Sequence, residues 1–267
     1  MLRARLATAA VAIPLLLLLI LYGPPLLFAA VVGIIGIGGM IEYAVMAFST
    51  RPAERALTIL LGVLVIVAGV SHNTPPLFTG ALALALMTLL TWVVLFRPDF
   101  ERGFHDAGVA LLGILYIGLL MPHFVWLHRI DPTAGPRWVV FVLLIGMAGD
   151  TAGYFVGRAF GRHKLIPRVS PGKTFEGSAG MFLASLGAAA IGKLLFLPPI
   201  GWAHVLAIAA VMDILGQVGD LSESVMKRTF GVKESGWFFP GHGGALDRLD
   251  SLLFPVTFLY YHLSLIP

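Results

Sequence analysis

The chain has 267 residues, 58% of them hydrophobic and 12% charged, with a mean hydropathy of +0.91. That balance excludes a soluble globular protein and specifies an all-α polytopic integral membrane protein. The formal charge of +4 is modest and no signal for nucleic acid, and the absence of cysteine excludes disulfides, thiol catalysis and cysteine-ligated zinc.

The N-terminus, MLRARLATAAVAIPLLLLLILYG, joins a basic start to an apolar run. A cleaved signal peptide carries its small residues after the apolar run. Here ATAAVA precedes the leucines, so the segment reads as a retained first membrane helix. The apolar segments run over roughly 7–22, 26–48, 56–72, 77–96, 107–127, 138–157, 175–197, 203–226 and 251–266. The first and last are short for a span of about 20 residues and need tilt or local thinning. With the N-terminus cytoplasmic, Arg3, Arg5, Arg51, Arg55, Arg97, Arg102 and two basic loops share one side, while Arg129 and Arg137 lie opposite. The expectation is about nine transmembrane helices in a single membrane domain over 1–267. Within it, 1–137 carries little chemistry and 138–267 holds the catalytic helices and cytoplasmic loops. His72, His105, His123 and His128 are scattered singly and read as interfacial.

Polar residues concentrate in three places. Asp150 to Glu176 joins two apolar segments and holds Asp150, Arg158, Arg162, His163, Lys164, Arg168, Lys173 and Glu176. Asp150 falls inside a membrane helix, which makes it a functional candidate. The run Gly172-Lys173-Thr174 invites a phosphate-loop reading, but that motif needs a glycine where Pro167 stands. Pro171 and the Lys173–Glu176 pair read instead as a helix start capped by Ser170. Further on, Asp213, Gln217, Asp220, Ser224 and Lys227 are spaced by four, three, four and three, which is one face of a helix. In lipid such a stripe should face a bundle interior or a wet cavity.

The third place is Ser224 to Asp250, SVMKRTFGVKESGWFFPGHGGALDRLD. The carboxylates Asp220 and Asp247 suit magnesium, which takes one or two protein carboxylates plus substrate phosphates. The bland alternative pairs Asp247 or Asp250 with Arg248. Lys227, Arg228, Lys233 and Arg248 suit a triphosphate, and Arg158, Lys164 and Lys173 a lipid phosphate or the nucleotide. A basic cytoplasmic loop would carry such residues on topological grounds alone. Gly241, Gly243 and Gly244 around His242 let backbone amides approach phosphate, or form only a tight turn around a structural histidine.

The pattern SxxKRxxxxK[DE]xGxxxPGHGGxLDRxD resembles the C-terminal signature of phosphatidate cytidylyltransferases, and DTAGYFVGRAFGRHKLIPRVSPGKTFEG resembles the second block of that family. Glu234 departs from the usual aspartate after the lysine, and Gly153 from a residue such as alanine. The resemblance implies transfer of the cytidylyl group of CTP to phosphatidic acid, releasing pyrophosphate, at the cytoplasmic face of the inner (plasma) membrane. It implies a catalytic set of Asp220, Lys227, Arg228, His242, Asp247 and Arg248. Asp220 and Asp247 would hold Mg²⁺, with a second cation left open. Substrate would meet Asp150, Arg158, Lys164, Ser170, Lys173, Glu176, Ser224, Lys233, Gly243, Gly244 and Asp250. CTP, phosphatidic acid and the bilayer are the expected partners, a homodimer is left open, and nucleic acid is not expected. Two other readings are a CTP-dependent polyprenol or phytol kinase and an ion-coupled transporter using Asp150, Asp213 and Asp220. The DGxxAR…GxxxDxxxD pattern of CDP-alcohol phosphotransferases is absent.

Overall fold

The computed structural model describes residues 13–71, 75–197, 199–236, 238 and 243–265. The helices, in order, are α1 (Ile13–Tyr22), α2 (Pro25–Ala47), α3 (Pro52–Ser71), α4 (Pro75–Phe96), α5 (Phe100–Gly113) and α6 (His123–Arg129). Then come α7 (Ala134–Phe160), strands β1 (Lys164–Ile166) and β2 (Ser170–Thr174), α8 (Phe175–Leu195), α9 (Trp202–Thr229), α10 (Leu246–Leu249) and α11 (Leu253–Leu265). A π-helical turn over Ile114–Leu119 joins α5 to α6, so that Phe100–Arg129 forms one apolar span. Seven helices are long and apolar enough to cross a membrane, while α1 and α11 are shorter apolar helices.

Several helix starts follow from local chemistry. Pro25, Pro52 and Pro75 open α2, α3 and α4, where a missing N–H costs nothing. Asp99 caps α5 by accepting from the Arg102 amide at 3.0 Å. One expectation is corrected. Pro171 to Thr174 is strand rather than helix, and Thr174, not Ser170, caps α8 by accepting from the Gly177 amide at 3.1 Å. The β1–β2 hairpin, antiparallel with Lys164 opposite Thr174 and Ile166 opposite Ser170, is the only sheet among the described residues of an otherwise helical chain. The proline fits a short two-stranded ribbon, where an edge position needs no amide donor.

The chain divides into two compact units. The first contains Met1–Pro24, Leu127–Gly231 and Arg248–Pro267. Its centre is the packing of α7 on α8. Gly149, Gly153 and Gly157 fall one turn apart on α7, and a side chain at Gly153 would meet the Met181 side chain of α8 at 2.5 Å. Small residues at this spacing let two membrane helices approach closely, so the glycine at 153 has a packing reason. His128, expected to be interfacial, is buried here and bonds the Ile20 carbonyl through Nε2 at 2.9 Å.

The second unit contains Pro25–Trp126 and Val232–Asp247. Here α2 packs on α3, and α3 on α4 and on the π-helical turn. His123 is buried rather than interfacial, with Nδ1 3.1 Å from the Leu120 carbonyl. Arg51 and Arg97, read from sequence as cytoplasmic positive charges, close an ion network. Arg97 bridges Glu54 at 2.5 Å and Asp106 at 2.7 Å, and Arg51 also pairs with Asp106. Glu54 and Asp106 are buried, so the network satisfies charges that would otherwise be stranded in an apolar bundle.

Candidate active site

In the first unit the polar stripe of α9 is real and faces α8. Asp213 accepts from Ser185 Oγ at 2.7 Å and from Gln217 Nε2 at 2.6 Å, and Ser178 of α8 donates to Gln217. Asp150, Asp213, Gln217, Ser185 and Ser251 line a cavity of about 10 Å³ among α7, α8, α9 and the start of α11, room for one water. One turn further along α9, Asp220 Oδ2 pairs with Lys173 Nζ of β2 at 2.5 Å. Glu223, only 1% exposed, pairs with Lys227 at 2.5 Å, and Ser224 beside it is also buried. Asp150 accepts from Ser251 Oγ at 3.0 Å, and Asp250 from the Ser251 amide at 2.7 Å. The backbone of Asp250 presses on Gly219 of α9, where any side chain would collide with the Asp250 carbonyl.

Asp150, Asp220, Glu223 and Asp250 thus lie within one another's fields, against Lys173 and Lys227. Burial pushes the Asp250 carboxyl well above its usual range, and the negative charges of Asp220 and Glu223 push it the same way. Four carboxyl groups share this place with two lysines among the described residues, a negative potential that favours a cation. Among the described residues no three His, Asp or Glu side chains enclose a common point. Carboxylate oxygens are the donor type that Mg²⁺ takes, usually one or two from the protein.

The hairpin divides its expected site residues. Lys173 reaches Asp220, but Lys164 stands exposed and Arg158 donates to the Tyr154 hydroxyl at 2.9 Å on the exposed face of α7. Glu176 is engaged by the hairpin. It accepts from the Arg162 amide at 3.1 Å and from His163 Nδ1 at 2.7 Å, tying the start of the hairpin to α8. Ser170 is half-buried in β2. Arg228, at the end of α9, donates through Nε to the Val169 carbonyl at 3.2 Å and so holds the hairpin turn. Arg248 is exposed on α10.

In the second unit the loop after Val232 is organised by two carboxylates. Asp247 Oδ2 accepts from the Ser235 amide at 3.1 Å, Ser235 Oγ at 2.9 Å and the Gly244 amide at 3.1 Å. Glu42 of α2 accepts from the Phe238 and Leu246 amides, and its Oε2 lies 3.2 Å from Ser235 Oγ, whose single proton it shares with Asp247. Gly243 has φ of +86°, a left-handed conformation that favours glycine. Lys233 is exposed. Gly241 and His242 lie outside the described residues. Asp220 and Asp247, paired in the sequence reading, belong to the first and second units respectively.

Sequence reasoning missed Glu42, Glu223 and Ser235. Two of them left a signal: Glu42 is the one acidic residue in an apolar run, and Glu223 stands four residues before Lys227, an i,i+4 pair on a helix.

The model of the Cytidylyltransferase family matches residues 3–266. A phosphatidate cytidylyltransferase of Bacillus subtilis is 39% identical over 181 residues, 68% of this chain and 66% of that protein. One of Staphylococcus epidermidis is 33% identical over 260 residues, 96% of this chain and 97% of that protein. One of Brucella suis is 40% identical over 159 residues, 60% of this chain and 56% of that protein. The match of the family model to nearly every residue, with the acidic cluster and the glycine-rich loop inside it, establishes that the chain belongs to the cytidylyltransferase family.

Proposed function

We propose that this chain is a membrane nucleotidyltransferase that moves the cytidylyl group of CTP onto phosphatidic acid, forming CDP-diacylglycerol and pyrophosphate in phospholipid synthesis. The observation that carries the proposal is the Asp220–Lys173 pair, set beside the carboxyl groups of Glu223 and Asp250 on a membrane-helix polar stripe. Family membership and the curated names of the relatives support the same reaction.

A lipid phosphomonoester has its second pKa near about 6, so it arrives as a nucleophile largely without need of a base. What remains is positioning and charge. Lys227, Arg228, Lys233 and Arg248 bind the triphosphate and stabilise charge developing on pyrophosphate. Lys173, with Arg158 and Lys164 on the hairpin side, attracts the lipid phosphate. Gly243 offers its backbone amide to phosphate oxygens, and Gly244, whose amide is held by Asp247, keeps the turn small enough for substrate phosphate to approach. His242 donates a hydrogen bond to phosphate and is not an indispensable base. Asp150, Ser224 and Asp250 support the substrate-facing polar surface, whereas Ser170 and Glu176 act through the hairpin. Asp220 and Asp247 are the proposed carboxylate ligands of Mg²⁺, which when bound draws charge from the triphosphate oxygens and the leaving group. Asp220 fits on its surroundings: among the described residues its ion-pair partner is Lys173, and the carboxyl groups of Glu223 and Asp250 lie close by.

The same reading counts α1 and α11 as spans. That gives nine crossings, a cytoplasmic N-terminus and both polar loops on the cytoplasmic face of the inner membrane, where CTP is found. Purified protein given CTP labelled at the α- or the γ-phosphorus, with phosphatidic acid, tests the reaction. Entry of α-label into lipid supports it, and entry of γ-label would make the chain a lipid kinase.

A further inference from the structure

We propose that Glu42 of α2 is a positioning residue for the glycine-rich loop, and that through Ser235 and Gly244 it sets the carboxylate of Asp247; the catalytic part of this rests on the proposed role of Asp247. An ionisable side chain in an otherwise apolar membrane helix is costly and calls for a use. Glu42 sits five residues before the end of α2, about 7 Å along the axis. It is 8% exposed, and no lysine or arginine among the described residues pairs with it. All its hydrogen-bond donors are neutral, and all come from the loop about two hundred residues away. Oε1 takes the Phe238 amide at 3.1 Å, while Oε2 takes the Leu246 amide and shares the proton of Ser235 Oγ, each at 3.2 Å. Ser235 then passes the constraint on, since its amide and hydroxyl both reach Asp247 Oδ2.

The packing is built around the same contact. Phe238 lies on Gly38 and Leu246 on Gly39, so α2 presents a smooth seat one turn before Glu42. On the loop side, side chains at Gly236 or Gly244 would run into the Glu42 carboxylate. Gly236 is therefore small because Glu42 is there, and Gly244 because Glu42 and Ser235 Oγ together fill the space, a reason distinct from phosphate approach. The contact also discriminates sharply between near-isosteric groups. A carboxylate accepts at both oxygens. Glutamine in the same place must turn its NH₂ either to the Phe238 amide or to the Leu246 amide, donor against donor, and one side of the seat opens.

The test uses the cysteine-free chain. A spin label is attached at Glu234→Cys, an exposed loop position, in detergent-solubilised full-length protein. Turnover of CTP and phosphatidate is measured on the same samples over a Mg²⁺ titration. Glu42→Gln and Glu42→Ala should each narrow the spectrum from immobile towards mobile. They should lower kcat about ten- to a hundredfold, the scale of a displaced catalytic group, and raise the Mg²⁺ concentration for half-maximal rate. A residue that only stabilised the bundle would lower Tm and leave the label and the Mg²⁺ dependence unmoved, which would overturn the proposal. Gly38→Ala, which pushes Phe238 off its seat without touching the carboxylate, should mobilise the label as well and serves if Glu42→Ala does not fold. A label that stays immobile in Glu42→Gln refutes the anchoring. A mobile label with full turnover keeps the anchoring, refutes the positioning role, and counts against the catalytic reading of the loop itself.

Discussion

Replacing Asp220 by asparagine removes one negative charge from α9 and almost no volume. Its partner Lys173 stands 2.5 Å away, and the two side chains are 24% and 23% exposed. At an effective dielectric of 20 the bare attraction at that distance is about 7 kcal/mol. Desolvation of both ions offsets most of it, and partial exposure screens the rest. Asparagine still accepts a hydrogen bond from Lys173, and the change relieves repulsion on Asp250. The net effect on folding should therefore stay within about 1 kcal/mol. Turnover should respond differently. Loss of one strong electrostatic group from a transition state costs at least about a hundredfold, or about 2.7 kcal/mol. The assay is CDP-diacylglycerol formation beside Tm in the same detergent, for Asp220→Asn, Lys173→Ala and the double variant. The double variant should stay as inactive as Asp220→Asn. Near-normal turnover in Asp220→Asn, or recovery in the double variant, would show that Asp220 merely neutralises Lys173.

Other outcomes follow from the same geometry. Asp250 has its folded-state carboxyl raised above the unfolded value of 3.8, so its contribution to stability is full below that value and is lost as pH rises through the folded pKa. With chelator present, Tm of Asp250→Asn should fall less than that of the parent between about pH 4 and pH 8, and parallel curves would refute this. In intact cells, a cysteine at Thr74→Cys should label from outside and one at Glu234→Cys should not, and the reverse pattern would sink the nine-span topology. Lys227→Ala or Arg248→Ala should cost turnover at least as much as His242→Gln, for which a loss of about 10- to 100-fold is expected. Abolition of activity by His242→Gln alone would point to an obligatory base.

The membrane character and the helix order were legible because apolar runs and helix-starting prolines are local signals. The α9 stripe was legible for the same reason, since the spacing of Asp213, Gln217, Asp220, Ser224 and Lys227 decides which face they share. The Pro171–Glu176 segment was misread because a capping threonine three residues before Gly177 and a capping serine before Pro171 look alike in sequence. Pairing with Lys164–Ile166 decided between them. The local partners of Glu176 were not legible, because charge alone does not show direction. Its partners, the Arg162 and His163 backbone, are brought near only by the hairpin. Glu42 was out of reach as a loop anchor, because its donors Ser235, Phe238 and Leu246 lie about two hundred positions on and are neutral. Arg51 and Arg97 show the converse: the charge bias was visible, but not the burial of Asp106 that recruits them.

The phosphorus that is attacked distinguishes cytidylyl transfer from phosphorylation. Purified protein in detergent, supplied with phosphatidic acid, Mg²⁺ and CTP labelled separately at the α and γ positions, reports it directly. The α-label should appear in the lipid fraction as CDP-diacylglycerol and the γ-label leave as pyrophosphate, with both signals lost in Asp220→Asn. Gamma-label appearing in lipid, or neither label moving with wild-type protein, would contradict cytidylyl transfer.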